Sequence, residues 1–182
     1  MQSVSAVILA GGRSSRMGSN KALLKLDKKS IIQRQVEELA RYYDQVIVVS
    51  NEEELYKDLG VLVVKDEYPG SGPLAGIHAG LLASSKEGIF VLPCDMPFVP
   101  GNIGLKMLEM CGSSDGVVLE KGGHLEPLCA LYSKTCLGII EEFLQTDRRK
   151  VIDFFPLKDI KIIPAELLEM DLVLDRVFFN IN

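Results

Sequence analysis

The sequence predicts an α/β fold in which an open, mostly parallel sheet is covered by helices on both faces. Two observations support this prediction. In the first half of the chain, short and nearly continuous apolar runs alternate with amphipathic segments, which is typical of parallel strands buried on both faces. In the second half, two extended runs flank a Gly-Gly pair, which predicts a small antiparallel addition.

Four strands are expected in the first half of the chain. They are VSAVILA at 4–10, QVIVVS at 45–50, VLVVKD at 61–66 and GIFVLPCD at 88–95. Ser30 is expected to cap a helix over IIQRQVEELARYY, in which apolar residues repeat at helical spacing. Asn51 is expected to cap a second, acidic helix that ends at Gly60. A third helix is expected through IHAGLLASS, after a loop rich in proline and glycine.

The second half predicts fewer elements. The run DGVVLEKGGHLEPLCALY predicts two strands around Gly122 and Gly123. A helix is expected from about Ser133 to Gln145, and a strand near KIIPA. No repeat or linker divides the sequence, so residues 1–182 are expected to form a single domain.

Composition restricts the classes of function. The 182 residues carry a net charge of −5, which does not favour nucleic-acid binding, because that binding usually needs a basic surface. No apolar stretch reaches the roughly 18 residues of a membrane span, and no secretion signal is evident. The four cysteines lack paired or metal-ligand spacing, which is typical of buried thiols in a reducing compartment. We therefore expect a cytoplasmic protein with neither a membrane nor a nucleic-acid partner.

The loop after the first strand gathers positive charge in this acidic chain. The stretch LAGGRSSRMGSNKALL at 9–24 contains Gly11, Gly12, Arg16 and Lys21. Glycines let backbone N–H groups approach an anion, an arginine can bind phosphate through two hydrogen bonds, and a lysine adds a point charge. The loop suits a nucleoside triphosphate, and a solvent-exposed Gly-Gly turn is the alternative. Neither the P-loop spacing nor the GxGxxG spacing is present.

Polar side chains lie at the ends of three predicted strands. Asp95 ends the fourth strand, Asp66 ends the third, and Asn51 follows the second. Open α/β sheets bind ligands beyond the carboxyl ends of strands, where the strand order reverses. If the first and fourth strands are neighbours, Asp95 faces the glycine loop, and Mg²⁺ would be needed between its carboxylate and a triphosphate. Asp66 and Asn51 are candidates for base or ribose contacts, with turn or helix-cap roles as the alternative.

Together these motifs resemble the MobA-type nucleotidyltransferases, the molybdenum cofactor guanylyltransferase family. The resemblance rests on LAGGRSSRMGSNKALL, GPLAGI, PCDMPF, EPLCALY and the terminal NIN, which span nearly the whole chain in order. It implies a Rossmann-like sheet of the nucleotide-diphospho-sugar transferase type, with about 1–98 on the nucleotide side and about 99–182 on the acceptor side. It also implies transfer of GMP from GTP to molybdenum-molybdopterin, with Mg²⁺ as cofactor and transient contacts with molybdoenzymes or other cofactor-biosynthesis proteins.

The resemblance also implies roles for individual residues. Seven positions match nucleotide-binding positions of the family: Leu9, Ala10, Gly11, Lys21, Asn51, Asp66 and Asp95. Of these, Lys21 matches the lysine that contacts the triphosphate, Asp95 matches the magnesium ligand, and Asn51 matches only part of the family. Asn180 and Asn182 match a terminal N-x-N on the pterin side. We expect Lys21 and Arg16 to stabilise the charge that develops on pyrophosphate.

Alternatives remain open at this point. Related cytidylyltransferases that act on the same cofactor, and other nucleotidyltransferases, share such a glycine-rich loop. A non-catalytic nucleotide-binding cofactor carrier is the alternative from another class of protein. His124, Arg148 and Arg149 are either contacts for the second substrate or ordinary surface residues, and His78 is expected to lie on a helix as a packed or surface side chain.

Overall fold

The computed structural model describes residues 1–11, 21–26, 29–168 and 177. Its strands, in chain order, are β1 (Val4–Leu9), β2 (Lys25–Leu26), β3 (Lys29–Ser30), β4 (Val46–Val49), β5 (Leu62–Val64), β6 (Gly88–Pro93), β7 (Gly116–Lys121), β8 (His124–Ser133) and β9 (Ile160–Pro164). Its α-helices are α1 (Ile31–Leu39), α2 (Pro73–Ala83), α3 (Ile103–Cys111) and α4 (Leu137–Gln145). Short 3-10 helices cover Lys21–Leu23, Glu53–Leu55, Lys57–Leu59, Lys134–Cys136, Val151–Leu157 and Ala165–Leu168.

Among the described residues, seven strands form one sheet in the order β5-β4-β1-β6-β8-β7-β9, and β2 and β3 form a separate ribbon. Within the large sheet, β1 is parallel to β4 and β6, β5 is parallel to β4, and β9 is parallel to β7. β8 is antiparallel to both of its neighbours. The predicted mostly parallel sheet with an antiparallel addition in the second half is therefore confirmed.

Helices cover both faces of this sheet. α1 and α3 pack on the face to which Ile8 and Phe90 point, and α2 and α4 pack on the face to which Val7 and Val91 point. Because successive residues of a strand point to opposite faces, a strand covered on both sides must be apolar throughout. None of the helices among the described residues has the length and apolar character needed to span a membrane.

The outer strands of the sheet are short or interrupted. β5 has three residues, and its Leu62 is exposed. β9 forms the opposite edge, where the exposed Lys161 donates from Nζ to Met110 O at 2.8 Å. β9 ends at Pro164, which has no backbone N–H to donate.

α1 begins with the predicted cap. The Ser30 side chain accepts a hydrogen bond from Gln33 N, and the Gln33 side chain accepts one from Ser30 N, which completes a capping box. The helix ends at Leu39, before the predicted end at Tyr43. Tyr43 is buried and stacks on Phe90 with the ring centroids 6.0 Å apart, so the chain leaves the helix in a turn that carries this ring into the core.

Several expected elements differ in the structure. The acidic segment after Asn51 forms two 3-10 helices instead of one α-helix. Tyr56 lies between them with φ of −122°, and this break turns its side chain into the core, where it is fully buried. α2 begins at Pro73, inside the expected loop, because proline suits the first position of a helix. The expected helix from Ser133 begins only at Leu137, and the sequence pattern did not indicate α3.

Glycines allow α2 and α3 to lie close to the sheet. A Cβ atom on Gly80 would lie 2.8 Å from Val7 Cγ1. A Cβ atom on Gly104 would overlap the Phe90 ring and the Tyr43 hydroxyl. By contrast, a Cβ atom on Gly138 in α4 would have no atom of the described part of the chain within 4 Å.

These contacts predict opposite effects of two glycine-to-alanine substitutions. We expect Gly104→Ala to lower the free energy of unfolding by about 1–3 kcal/mol, because the added methyl has no space. Gly138→Ala should raise it by about 0.5 kcal/mol, because alanine loses less backbone entropy in a helix. Urea unfolding followed by circular dichroism measures both changes. The same sign for both substitutions would contradict the close packing of α3.

Candidate active site

The strand order reverses between β1 and β6. From β1 the chain adds β4 and then β5 on one side, and it returns to the other side of β1 as β6. The register pairs Leu9 with Pro93 at the carboxyl ends, and Cys94 N donates to Leu9 O at 3.1 Å. The expectation that the first and fourth predicted strands are neighbours is confirmed. Gly11 and Asp95 therefore leave the sheet from adjacent strands, at the edge where open α/β sheets bind ligands.

The backbone at the end of β1 is held on several sides. Ala10 N donates to Val49 O at 2.9 Å, and the Tyr56 hydroxyl donates to Ala10 O at 3.4 Å. Ala10 is buried, whereas Gly11 is exposed, and a Cβ atom on Gly11 would have no described residue within 4 Å. The loop therefore starts from a fixed base, and its first exposed residue leaves the backbone accessible to a ligand.

Several predicted site residues lie outside the described residues. Gly12 and Arg16 fall in the segment 12–20, and Asn180 and Asn182 fall in the segment 178–182. Lys21 is described through its backbone, which begins the 3-10 helix Lys21–Leu23. This short helix packs against α1, so the backbone of Lys21 is attached to an element of the core.

Asp95 lies in a tight turn directly after β6. Met96 N donates to Pro93 O at 3.3 Å, which closes the turn over Cys94 and Asp95. From α1, Gln35 Nε2 donates to Pro93 O at 3.0 Å and to Met96 O at 3.1 Å. Gln35 is buried and Asp95 is half-buried. Both ends of the turn are therefore attached to a helix, while Asp95 keeps contact with solvent.

The sequence interpretation missed Gln35. The signal was available, because Gln35 lies among Ile32, Val36 and Leu39 on the buried face of α1. A polar side chain in an apolar stripe needs hydrogen-bond partners once it is buried. The pattern indicates that such partners exist, but it does not identify acceptors that follow a different strand.

Asn51 and Asp66 form a pair at the carboxyl ends of β4 and β5. Asn51 Nδ2 donates to Asp66 Oδ2 at 2.8 Å, and Asp66 N donates to Asn51 Oδ1 at 3.3 Å. The expected capping role of Asn51 is wrong, since no side chain caps the following 3-10 helix and the amide is engaged with Asp66. Among the described residues, Asp66 Oδ1 is buried without a hydrogen-bond partner. The pair therefore offers an acceptor suited to an N–H or O–H group of a ligand.

The two predicted arginines make contacts within the protein. Arg149 Nη1 donates to Gly70 O at 3.2 Å in the loop before α2, and its Nη2 lies 2.6 Å from Asp147 Oδ1. The Arg148 guanidinium carbon lies 3.5 Å from the centroid of the Phe143 ring, within the range of a cation–π interaction. In this structure, Arg149 ties the loop before α2 to the end of α4.

The two histidines differ in environment. His78 is buried in α2, as a packed side chain, and its ring meets Tyr68 edge-on with the centroids 5.5 Å apart. His124 is exposed at the start of β8, opposite Lys121. His124 therefore lies on a surface that a second substrate can reach, whereas His78 does not.

The described side chains at the carboxyl edge of the sheet fit one mode of metal binding. Within the described ranges, no group of three or more His, Cys, Asp or Glu side chains is placed to hold a metal ion. In nucleotide sites, however, Mg²⁺ uses one or two carboxylates, phosphate oxygens and several waters. The half-buried carboxylate of Asp95, beside the exposed backbone of Gly11, fits that mode and not a preformed protein cage.

A family model described as a MobA-like NTP transferase domain matches residues 6–159. The chain belongs to this family. It is 41% identical to a probable molybdenum cofactor guanylyltransferase of Pelotomaculum thermopropionicum, over 100% of this chain and 89% of that protein. The identity to the probable molybdenum cofactor guanylyltransferase of Carboxydothermus hydrogenoformans is 38%, over 100% of this chain and 92% of that protein.

The comparison with solved structures agrees. The crystal structure of molybdopterin-guanine dinucleotide biosynthesis protein A from Archaeoglobus fulgidus has a TM-score of 0.84 to this MobA-like protein at 25% identity. The match covers 98% of this chain and 92% of that chain. The family resemblance and the fold class predicted from the sequence are therefore confirmed.

In this MobA-like protein, the β7–β8 hairpin extends past the end of β6. β8 pairs with β6 only from Ala130 to Ser133, so its first half lies beyond the carboxyl edge of the sheet. Between Val118 and Leu119 the register with β8 shifts and leaves residues 127–129 as a bulge. The Tyr132 hydroxyl donates to Pro127 O at 2.7 Å and holds this bulge. Bulges of this kind often lie next to active sites.

Glu126 lies next to this bulge and is half-buried. Burial raises the pKa of its carboxyl, and the positive charges of Lys121 and His124 oppose that rise. The folded protein therefore keeps the proton at pH values where the unfolded chain has released it. Glu126 consequently reduces stability as the pH rises through its unfolded pKa of about 4.3.

We expect Glu126→Gln to raise the free energy of unfolding at pH 7 by a few tenths of a kcal/mol, a small gain because the group still contacts solvent. The gain should shrink towards zero near pH 3, where the carboxyl is protonated in both states. Denaturant unfolding at the two pH values measures it. An equal gain at both pH values would contradict the effect of burial on Glu126.

Proposed function

We propose that this MobA-like protein transfers GMP from GTP to molybdenum-molybdopterin and releases pyrophosphate. The names of the similar curated proteins support this activity. The structural observation that carries the proposal is the adjacency of the Gly11 backbone and the Asp95 turn, which Cys94 N and Leu9 O join at 3.1 Å. At this edge of the sheet the exposed Gly11 backbone and a carboxylate would both face a nucleotide.

The nucleotide would bind across β1, β4 and β5. The backbone of Leu9, Ala10 and Gly11 would line the phosphates, since Gly11 is exposed and has no Cβ. The Asn51–Asp66 pair would contact the base or ribose, because Asp66 Oδ1 has no donor among the described residues. Gly11 follows β1, and the Asn51–Asp66 pair follows the next two strands of the sheet, β4 and β5, so one elongated ligand could contact both groups.

Charge is the main obstacle to the proposed reaction. The chain carries a net charge of −5, and both substrates are anions, so their approach needs local neutralisation. Asp95 would hold Mg²⁺, which when bound neutralises charge on the α-phosphate and on the departing pyrophosphate. Lys21 and Arg16 would stabilise the same charge from the first loop. The attacking phosphate is already ionised, so no general base is required, and the residues contribute by positioning and electrostatics.

The acceptor would bind on the side formed by the second half of the chain, about 99–182. The β7–β8 hairpin supports this assignment, because it extends beyond the edge of the sheet at which Asp95 lies. Exposed His124 is available there, and Asn180 and Asn182 are assigned to the pterin side by the family motif. Transient contact with molybdoenzymes and a cytoplasmic location stay predictions.

The proposed function is tested with purified protein, Mg²⁺, molybdenum-molybdopterin and either GTP or CTP. We expect pyrophosphate release with GTP at a kcat/KM at least about tenfold above that with CTP, equal to about 1.4 kcal/mol of transition-state discrimination. A preference for CTP would make the protein a cytidylyltransferase. Tight GTP binding without pyrophosphate release would make it a non-catalytic carrier.

The assignment of Asp95 has its own test. We expect Asp95→Ala to lower kcat for pyrophosphate release at least about a hundredfold, because the residue that holds the metal is lost. Asp58→Ala, in the exposed 3-10 helix Lys57–Leu59, should retain wild-type turnover. Thermal unfolding establishes that both variants are folded. Wild-type turnover in the Asp95 variant would remove Asp95 from the mechanism.

A further inference from the structure

We propose that Gln35 is a positioning residue for Asp95, because its amide holds both ends of the turn that presents this carboxylate to the metal and nucleotide. The inference rests on the proposed function, since it concerns the residue assigned to the metal. It adds a residue of α1 that the family motifs quoted from the sequence do not include.

The geometry of the turn supports this role. The turn runs from Pro93 to Met96, with Asp95 as its third residue. The carbonyls of the first and last residues accept hydrogen bonds from Gln35 Nε2 at 3.0 and 3.1 Å. Of the two polar atoms of the Gln35 amide only Nε2 can donate, so the two carbonyl acceptors determine the orientation of this side chain. One side chain thus fixes the backbone on both sides of Asp95.

The helix that carries Gln35 is itself fixed. The capping box at Ser30 defines the start of α1, and Ile32, Val36 and Leu39 attach it to the core. On the same helix, Glu38 Oε1 accepts a hydrogen bond from Gly101 N at 3.1 Å. α1 therefore binds the segment that connects β6 to α3 near both ends of that segment. A site residue supported by a packed helix is placed more accurately than one on an unsupported loop.

The remaining atom of the Gln35 amide does not itself stabilise the fold. Among the described residues, Gln35 Oε1 is buried and has no hydrogen-bond partner. A buried acceptor without a donor is unfavourable. A methionine of similar volume would avoid that penalty, but it would also remove the donor to Pro93 O and Met96 O. The amide is therefore best explained by what Nε2 does for the turn.

Gln45 provides the contrasting case at the opposite edge of the sheet. Its Oε1 accepts hydrogen bonds from Ser5 Oγ at 2.6 Å and from Ser85 N at 2.8 Å. Its Nε2 donates to Ala83 O at 3.4 Å. Both atoms of this amide are satisfied, and they join β1 and β4 to the segment that follows α2, which is a structural role. Gln45 is therefore the matched control for Gln35.

Loss of the Gln35 donors should let the turn vary in orientation. The Asp95 carboxylate would then occupy the productive position for a smaller fraction of the time, and small misplacements at a reacting centre have large effects on rate. The nucleotide contacts assigned to the first loop and to the Asn51–Asp66 pair do not involve Gln35. We therefore expect weaker metal binding and a lower kcat, with little change in the KM for GTP.

The experiment uses Mn²⁺ as a spectroscopic probe for the metal. Electron paramagnetic resonance measures the Kd of Mn²⁺ in the presence of saturating GTP, without acceptor. We expect Gln35→Met to raise this Kd about tenfold and Gln45→Met to leave it within twofold of the wild type. In turnover, Gln35→Met should raise the half-saturating Mg²⁺ concentration and lower kcat, with the KM for GTP within twofold. Gln35→Ala is the second variant, because it leaves room for water and introduces no new bulk.

Each outcome decides the inference. Wild-type Mn²⁺ binding in folded Gln35→Met and Gln35→Ala would overturn it and leave the proposed function intact. An increase in the Kd of Mn²⁺ in Gln45→Met as large as that in Gln35→Met would also overturn it. Weaker metal binding would then result from lower stability of the fold and not from the position of Asp95. So would the failure of both Gln35 variants to fold. A wild-type protein that neither binds Mn²⁺ with GTP nor releases pyrophosphate would reject the proposed function, and the inference with it.

Discussion

The parallel pairing of β1 with β6 is the contact on which the candidate site depends. It brings together two segments that are distant in sequence, and the bond from Cys94 N to Leu9 O extends it to the edge of the sheet. Both strands are fully buried. A shift by one residue would move every side chain to the opposite face, where helices of different shape are packed. The register is therefore strongly determined, and so is the relation between the Gly11 backbone and the Asp95 turn.

The amino and carboxyl edges of the sheet differ in the hydrogen bonding of their polar side chains. At the amino edge, Ser5, Gln45 and Ser84 satisfy one another or nearby backbone groups. At the carboxyl edge, Asp66 Oδ1 and Gln35 Oε1 are buried without partners among the described residues. Unpartnered polar atoms are unfavourable in a core that only has to be stable. Asp66 Oδ1 and Gln35 Oε1 agree with the assignment of binding to the carboxyl edge, and Tyr43 Oη and His78 Nδ1 are two further buried atoms without partners among the described residues.

Much of this arrangement was predictable from the sequence, because it follows from local patterns. Continuous apolar runs indicated the central strands, and the strand-end rule indicated that Asp95 and the glycine loop belong to one edge. The features that could not be predicted depend on tertiary contacts. Asn51 has the composition of a helix cap, yet its partner is Asp66 on the next strand. The sequence pattern did not indicate α3, because Gly104 near its start is a poor helix former, and the packing on Phe90 that requires this glycine is a tertiary contact. Gln35 could be noticed as anomalous, but its acceptors lie on another element.

The outer strands have a consequence for the behaviour of the protein at high concentration. An open sheet ends in unpaired backbone groups, and these can template the addition of a strand from another molecule. Here β5 is only three residues long. At the other edge, Lys161 and Pro164 interrupt β9 with a charge and with a residue that cannot donate. Edge-to-edge aggregation is thereby discouraged, although the strands between these edges are almost entirely apolar.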